Sequence, residues 1–194
     1  MPAGVNEVKK LHMGGFTLVE LGTVLAVMGV LAAIAFPGMR VYMDKQRLVS
    51  QVRAIAEMAQ LARAEAIKHS GATTDRRISM NVSAPTPSTW YVGLINGDAA
   101  CTTQATCLIA QAGSNVNQSY FVSATACPSC TMTSHATAAR VVFDMRGIAS
   151  TTGNADQLIT LQSPMNKQLS VSVSRLGRIS ICTPVGSVGG YVTC

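Results

Sequence analysis

Cysteine is the residue type in this chain best suited to chemistry. Cys127-Pro128-Ser129-Cys130 has the spacing of a thioredoxin-type redox pair or of half a zinc site. A redox centre needs a surrounding βαβ pattern, and zinc needs a second close pair. The flanking sequence is instead rich in Ser and Thr, and five residues separate Cys101 from Cys107. A structural disulfide is the favoured reading, and no metal is expected. Six cysteines suit three disulfides. Cys101–Cys107, Cys127–Cys130 and Cys182–Cys194 form the favoured set, one of the fifteen connectivities that the sequence leaves open. His12, His69 and His135 are scattered. Ser134, His135 and Asp144 invite comparison with a catalytic triad, but no nucleophile elbow or His–Asp spacing supports one. They read as solvated loop residues. Gly189-Gly190 reads as a turn in the tail rather than a phosphate loop. Neither a cofactor nor an enzyme activity is expected.

Glu20 is the other anomaly. It is the only charge in the 21 residues from 16 to 36. A helix of that length spans roughly 30 Å, one hydrocarbon core. A lone carboxylate there costs about 2.5–3.5 kcal/mol near the bilayer centre and is a functional signal. Lys9 and Lys10 precede the run and hold that end in the cytoplasm. An A-x-A-like site near Ala32 raises the alternative of an ordinary secretory signal. The helical pattern, however, continues straight past it.

The elements that position these residues follow from periodicity. Leu48, Val52, Ile55, Ala59, Ala62 and Ala66 make one apolar stripe. Glu57 and Glu65 read as part of its solvated face. Ser70-Gly71 is the helix stop, and Pro37-Gly38 is expected to bend or locally melt the helix. Beyond Gly71 the period becomes two, with strands expected at 77–82, 89–95, 120–123, 140–144, 157–161, 169–174 and 177–182. Leu169, Val171 and Val173 alternate with serines, the pattern of a half-buried strand. The small, polar segment 97–118 reads as a surface insertion. The chain is 48% hydrophobic, only 12% charged and 5% aromatic, with a net charge of +6. That excludes a disordered tail and a charged coiled coil, and it argues against an aromatic platform for single-stranded nucleic acid.

Gly15-Phe16-Thr17-Leu18-Val19-Glu20 resembles the processing site of the type IV pilin and type II secretion pseudopilin superfamily. The resemblance implies a leader at 1–15, cut after Gly15 by a prepilin peptidase, and N-methylation of Phe16. It implies that Glu20 sets register against a neighbour's N-terminal amine and that Pro37 bends the helix. The implied fold is α+β. A long helix, with a membrane half at 16–36 and an amphipathic half at 39–69, packs on an antiparallel β-sheet head. The head spans 37–194, with a β-rich part at 76–182 and a disulfide-tied tail at 182–194. Implied partners are the peptidase, the major pilin, other minor pilins, the inner-membrane assembly platform, and membrane lipid before assembly. The implied location is the inner membrane, single-pass, with the head in the periplasm and later at the cell surface.

Residues 61–68, Trp90, the run Val142-Phe143-Asp144 to Gly147, and 177–182 narrow the resemblance to the FimT/FimU/GspH branch of minor pilins and pseudopilins. Such proteins prime filaments near the tip. Some FimT-like relatives bind DNA for transformation through a C-terminal Gly-Arg-x-Arg. Gly177-Arg178 matches the first half of that motif, Ser180 replaces its second arginine, and Arg175 is the nearest substitute. In a regular strand Arg175 and Arg178 would face opposite ways. The three function classes are therefore a minor pilin, a pilus-borne DNA receptor, and a pseudopilin of type II secretion.

Overall fold

The apolar run and the stripe that follows it form one helix. A computed structural model describes residues 15–68, 77–110, 117–133, 138–151, 156–184 and 188–194. Helix α1 spans Leu18–Lys68 and is unbroken through Pro37 and Gly38, so the backbone does not melt there. Thr17 caps it, its Oγ1 accepting the Glu20 N–H at 3.2 Å. This is the first half of a Thr-x-x-Glu capping box. The Ser70-Gly71 stop and leader residues 1–14 lie outside the described residues.

The chain divides into two compact units, Met1–Arg40 and Val41–Cys194. The first contains Leu18–Phe36, with a mean hydropathy of 2.3 and nothing buried. It is long and apolar enough to cross a membrane. In the second unit the remainder of α1 buries Leu48, Val52, Ile55, Ala59, Ala62 and Ala66 completely. The 3.6-residue period thus dictates which face packs. Glu57 is exposed, but Glu65 is not solvated as expected. Its carboxylate is buried and paired with Lys68 Nζ at 2.8 Å.

Eleven strands follow among the described residues: β1 (Ile78–Thr86), β2 (Thr89–Asn96), β3 (Leu108–Ala110), β4 (Asn117–Ser119), β5 (Phe121–Ser123), β6 (Thr131–Met132), β7 (Ala138–Phe143), β8 (Ala149–Thr151), β9 (Gln157–Gln162), β10 (Gln168–Val173) and β11 (Ile179–Cys182). They form antiparallel sheets ordered β5-β2-β1-β7-β8, β11-β10-β9-β6 and β3-β4. The α1 stripe shares one core with Met80, Val92 and Leu94 of the first sheet and with Ile159, Leu161 and Val171 of the second.

One expectation about exposure is qualified and another corrected. Most described residues of 97–118 are exposed, as expected of a surface segment, but Cys101, Cys107 and Ile109 are buried and anchor it to the core. The Cys101–Cys107 disulfide lies against Gly93 of β2, where an added Cβ would overlap Cys107 Sγ. A bare backbone position in β2 is what admits the disulfide. Strand β10 is not half-buried, because Ser170 is as buried as Leu169. Ser170 Oγ lies 2.7 Å from Thr160 Oγ1, with Cys182 as its opposite neighbour on β11. Cys182 is bonded to Cys194, and Thr183 bridges to Thr193 in parallel register. Lys45 Nζ donates to the Gly189 carbonyl at 3.1 Å, and Arg53 Nη2 to the Tyr191 hydroxyl at 3.4 Å, so the tail is held to α1.

Trp90 is the largest fully buried side chain, and its Nε1–H donates to the Cys130 carbonyl at 2.9 Å. Trp90→Phe removes that donor and strands a buried acceptor. Thermal unfolding should show a loss of about 2 kcal/mol, or about 4–8 °C in Tm for a domain of this size.

Candidate functional site

The two arginines singled out above both lie on the turn joining β10 to β11. The Ser174 N–H donates to the Arg178 carbonyl at 2.9 Å, and the Gly177 N–H to the Ser174 carbonyl at 2.8 Å. The Arg178 N–H donates to Ser174 Oγ at 3.0 Å. Residues 174–178 are thus a turn, and strand alternation does not separate Arg175 from Arg178. Both are exposed. The Arg175 N–H donates to Asp156 Oδ1 at 3.2 Å, and its carbonyl accepts the Ala149 N–H at 3.0 Å.

A second turn, between β7 and β8, supports the first. Asp144 organises it, its Oδ1 accepting the N–H groups of Arg146 and Ile148, both at 2.9 Å. Its Oδ2 accepts Arg146 Nε at 3.1 Å. Partial burial pushes the Asp144 carboxyl upward. The Ile148 and Arg146 hydrogen bonds and the Arg146 charge outweigh this and hold it below the ordinary value. A lowered carboxylate stabilises the fold above its unfolded value, and that contribution fades as pH falls through the folded one. Asp144→Ala should therefore cost about 1–2 kcal/mol at pH 7. The gap from the parent should narrow below about pH 4, as read by chemical denaturation across pH.

Gly147 and Gly177 have φ of 73° and 74°, and a Cβ on Gly177 would overlap the Gly147 carbonyl oxygen. That oxygen also accepts Arg63 Nε from α1 at 3.1 Å. In the sequence Arg63 counts only as part of the 61–68 run that carries the family resemblance. Its link to residue 147 depends on tertiary packing and carries no local signal. Arg63, Ile67, Leu176 and Arg178 line a groove of about 430 Å³ between α1 and the β10–β11 turn.

The remaining sequence sites lie elsewhere. Cys127–Cys130 is a disulfide with both residues buried, away from attacking thiols. With Cys101–Cys107 and Cys182–Cys194, it leaves no free thiol among the described residues. Ser134 and the three histidines lie outside those residues, and Asp144 is committed to its own turn. Gly15 and Phe16 precede α1 and are exposed, as is Glu20 in its first turn.

A family model described as Type II transport protein GspH matches residues 51–177. This chain belongs to the GspH family. Membership places it in the type IV pilin and pseudopilin superfamily, whose members assemble with other pilins and their machinery. The GspH match includes Arg63, Gly147, Arg175 and Gly177 and stops one residue before Arg178. No curated protein sequence matches the chain. Two crystal structures of the Pseudomonas aeruginosa type IV minor pilin FimU, in space groups P21 and P65, are similar to this GspH-family chain at 16% identity. The first has a TM-score of 0.45 and covers 76% of this chain and 97% of the FimU chain. The second has a TM-score of 0.44 and covers 73% and 98%.

Proposed function

We propose that this GspH-family chain is a minor pilin subunit, cut by prepilin peptidase between Gly15 and Phe16 and methylated on Phe16. It waits in the inner membrane with its head in the periplasm, then enters a filament near the tip, where it primes assembly with other minor pilins and the major pilin. The observation that carries this reading is the helix Leu18–Phe36, apolar on every side, wholly unburied and bearing one carboxylate, Glu20. Such a surface calls for lipid or a bundle of like helices. In the bundle, the cationic N-terminus of a neighbouring Phe16 would neutralise Glu20 and fix the register.

The test is deletion of the gene with the major pilin intact, followed by a count of surface pili. Loss or a sharp fall in number is expected. Pili in normal number would overturn the priming role. Loss of a secreted client instead would assign the chain to type II secretion; the family's description reads type II transport.

The shared turn of Arg175 and Arg178 favours a second reading, binding of DNA phosphates during uptake. The full chain in micelles should then bind duplex DNA with a steep salt dependence that Arg178→Ala weakens. Absence of binding at low salt would exclude it.

A further inference from the structure

The groove beside the β10–β11 turn combines two chemistries. Its α1 wall carries Arg63 and Ile67, and its turn wall carries Leu176 and Arg178. Leu176 is 78% exposed and Ile67 44%, so among the described residues neither aliphatic side chain is fully covered. The Gly147 carbonyl holds Arg63 by its Nε, which fixes that guanidinium at the wall. Among the described residues, no ion pair engages Arg63 or Arg178. The surrounding carboxylates are committed. Asp144 serves its own turn, Asp156 accepts the Arg175 N–H, and Glu65 is paired with Lys68. Among the described residues, no carboxylate lines the groove.

Two guanidinium groups flanked by aliphatic side chains suit a peptide that carries both a carboxylate and an apolar residue. Guanidinium forks bind carboxylates, and the apolar residue would cover Leu176 and Ile67. A phosphodiester could use the arginines but would leave the aliphatic pair in water, and among the described residues no aromatic ring lines the groove to stack a base. Residues 44–194 carry 12 Lys+Arg against 7 Asp+Glu, a net +5. A second copy of this chain would therefore bring like charge to the groove.

We infer that this groove docks an acidic, aliphatic-containing segment of a different protein subunit. Its carboxylate sits between Arg63 and Arg178, and its apolar side chain covers Leu176 and Ile67. This rests on the filament-subunit reading and extends it to the chemistry of the neighbour.

Photo-crosslinking of the full chain in its own cells tests the inference. Leu176 is replaced by benzoylphenylalanine, and the adduct is sequenced by mass spectrometry. The expected adduct joins a different subunit at a segment containing Asp or Glu. Its yield should fall at least tenfold in Arg178→Glu and recover when the identified carboxylate is changed to lysine. Arg178→Gln provides a milder variant, and retention of all three disulfides checks folding. Pili are counted in the same strains. If pili form but no adduct appears, the groove assignment is overturned while the filament reading stands. It is also overturned if the adduct joins two copies of this chain or nucleic acid, or if Arg178→Glu leaves its yield unchanged. If the acidic adduct forms but the chain is absent from filaments, the docking groove stands and the filament reading falls.

Discussion

Gly177→Ala is expected to lower Tm by about 10 °C, which corresponds to about 3–4 kcal/mol for a domain of this size. Two costs combine. Alanine at a φ of 74° costs about 1–2 kcal/mol in left-handed backbone strain. The new Cβ also overlaps the Gly147 carbonyl oxygen and lies 2.9 Å from Arg63 Nε. Backbone cannot swing aside as a side-chain tip can, so the two turns must separate. Separation weakens the Arg63 bond to Gly147, at about 1 kcal/mol. Gly189→Ala is the control, since nothing lies within 4 Å of its added Cβ. A Gly177→Ala Tm within 2 °C of the parent would show that the turns are not in close contact. The glycine that begins the Gly-Arg resemblance therefore has a structural duty independent of any ligand.

The second large effect concerns Glu20. Both Glu20→Ala and Glu20→Gln are expected to reduce incorporation into filaments at least tenfold, with leader cleavage unchanged. The pair of variants separates two roles of the residue. The contact that caps α1 runs from the Glu20 backbone N–H to Thr17 Oγ1 and survives any side chain. Glutamine also retains the capacity to complete a capping box. What both variants lose is charge. In lipid that charge costs about 2.5–3.5 kcal/mol unless it is paired, and 1.4 kcal/mol already corresponds to a factor of ten. Incorporation is measured by quantifying the chain in sheared filaments. Normal incorporation of Glu20→Gln would end the charge-pairing account and leave helix capping as the residue's role.

The parts of this fold that were legible in sequence are those with long periods. Six stripe positions from Leu48 to Ala66 were readable because α1 repeats its packing over many turns. All seven anticipated strands are present, among them β9 and β10, which run for six residues each. Strands β3, β4, β6 and β8 have two or three residues each and show no period at all. Glu65 was misread because sequence shows its charge and Lys68 three residues on, but not the packing that buries the carboxylate. The site was legible only in part. Arg178 stood out through the Gly-Arg resemblance and Arg175 as the nearest substitute for its missing second arginine. Arg63 did not, because its hydrogen bond to Gly147 spans 84 residues and is made by tertiary packing. The aliphatic half of the groove was equally hidden, since Ile67 and Leu176 look like ordinary core residues until their exposure is seen.

The tail closed by Cys182 and Cys194 has a consequence for how the head bears tension. A filament under load pulls on its subunits, and a head that opens lets out chain at up to about 3.5 Å per residue. The bond between Cys182 and Cys194, twelve residues apart, withholds about 40 Å of that length whatever the force on the fold. The contacts of Lys45 with Gly189 and of Arg53 with Tyr191 keep the closed loop beside α1. A load applied beyond Cys182 would therefore extend the head by that much less. Under reducing conditions, stretching a single head should release a correspondingly longer step.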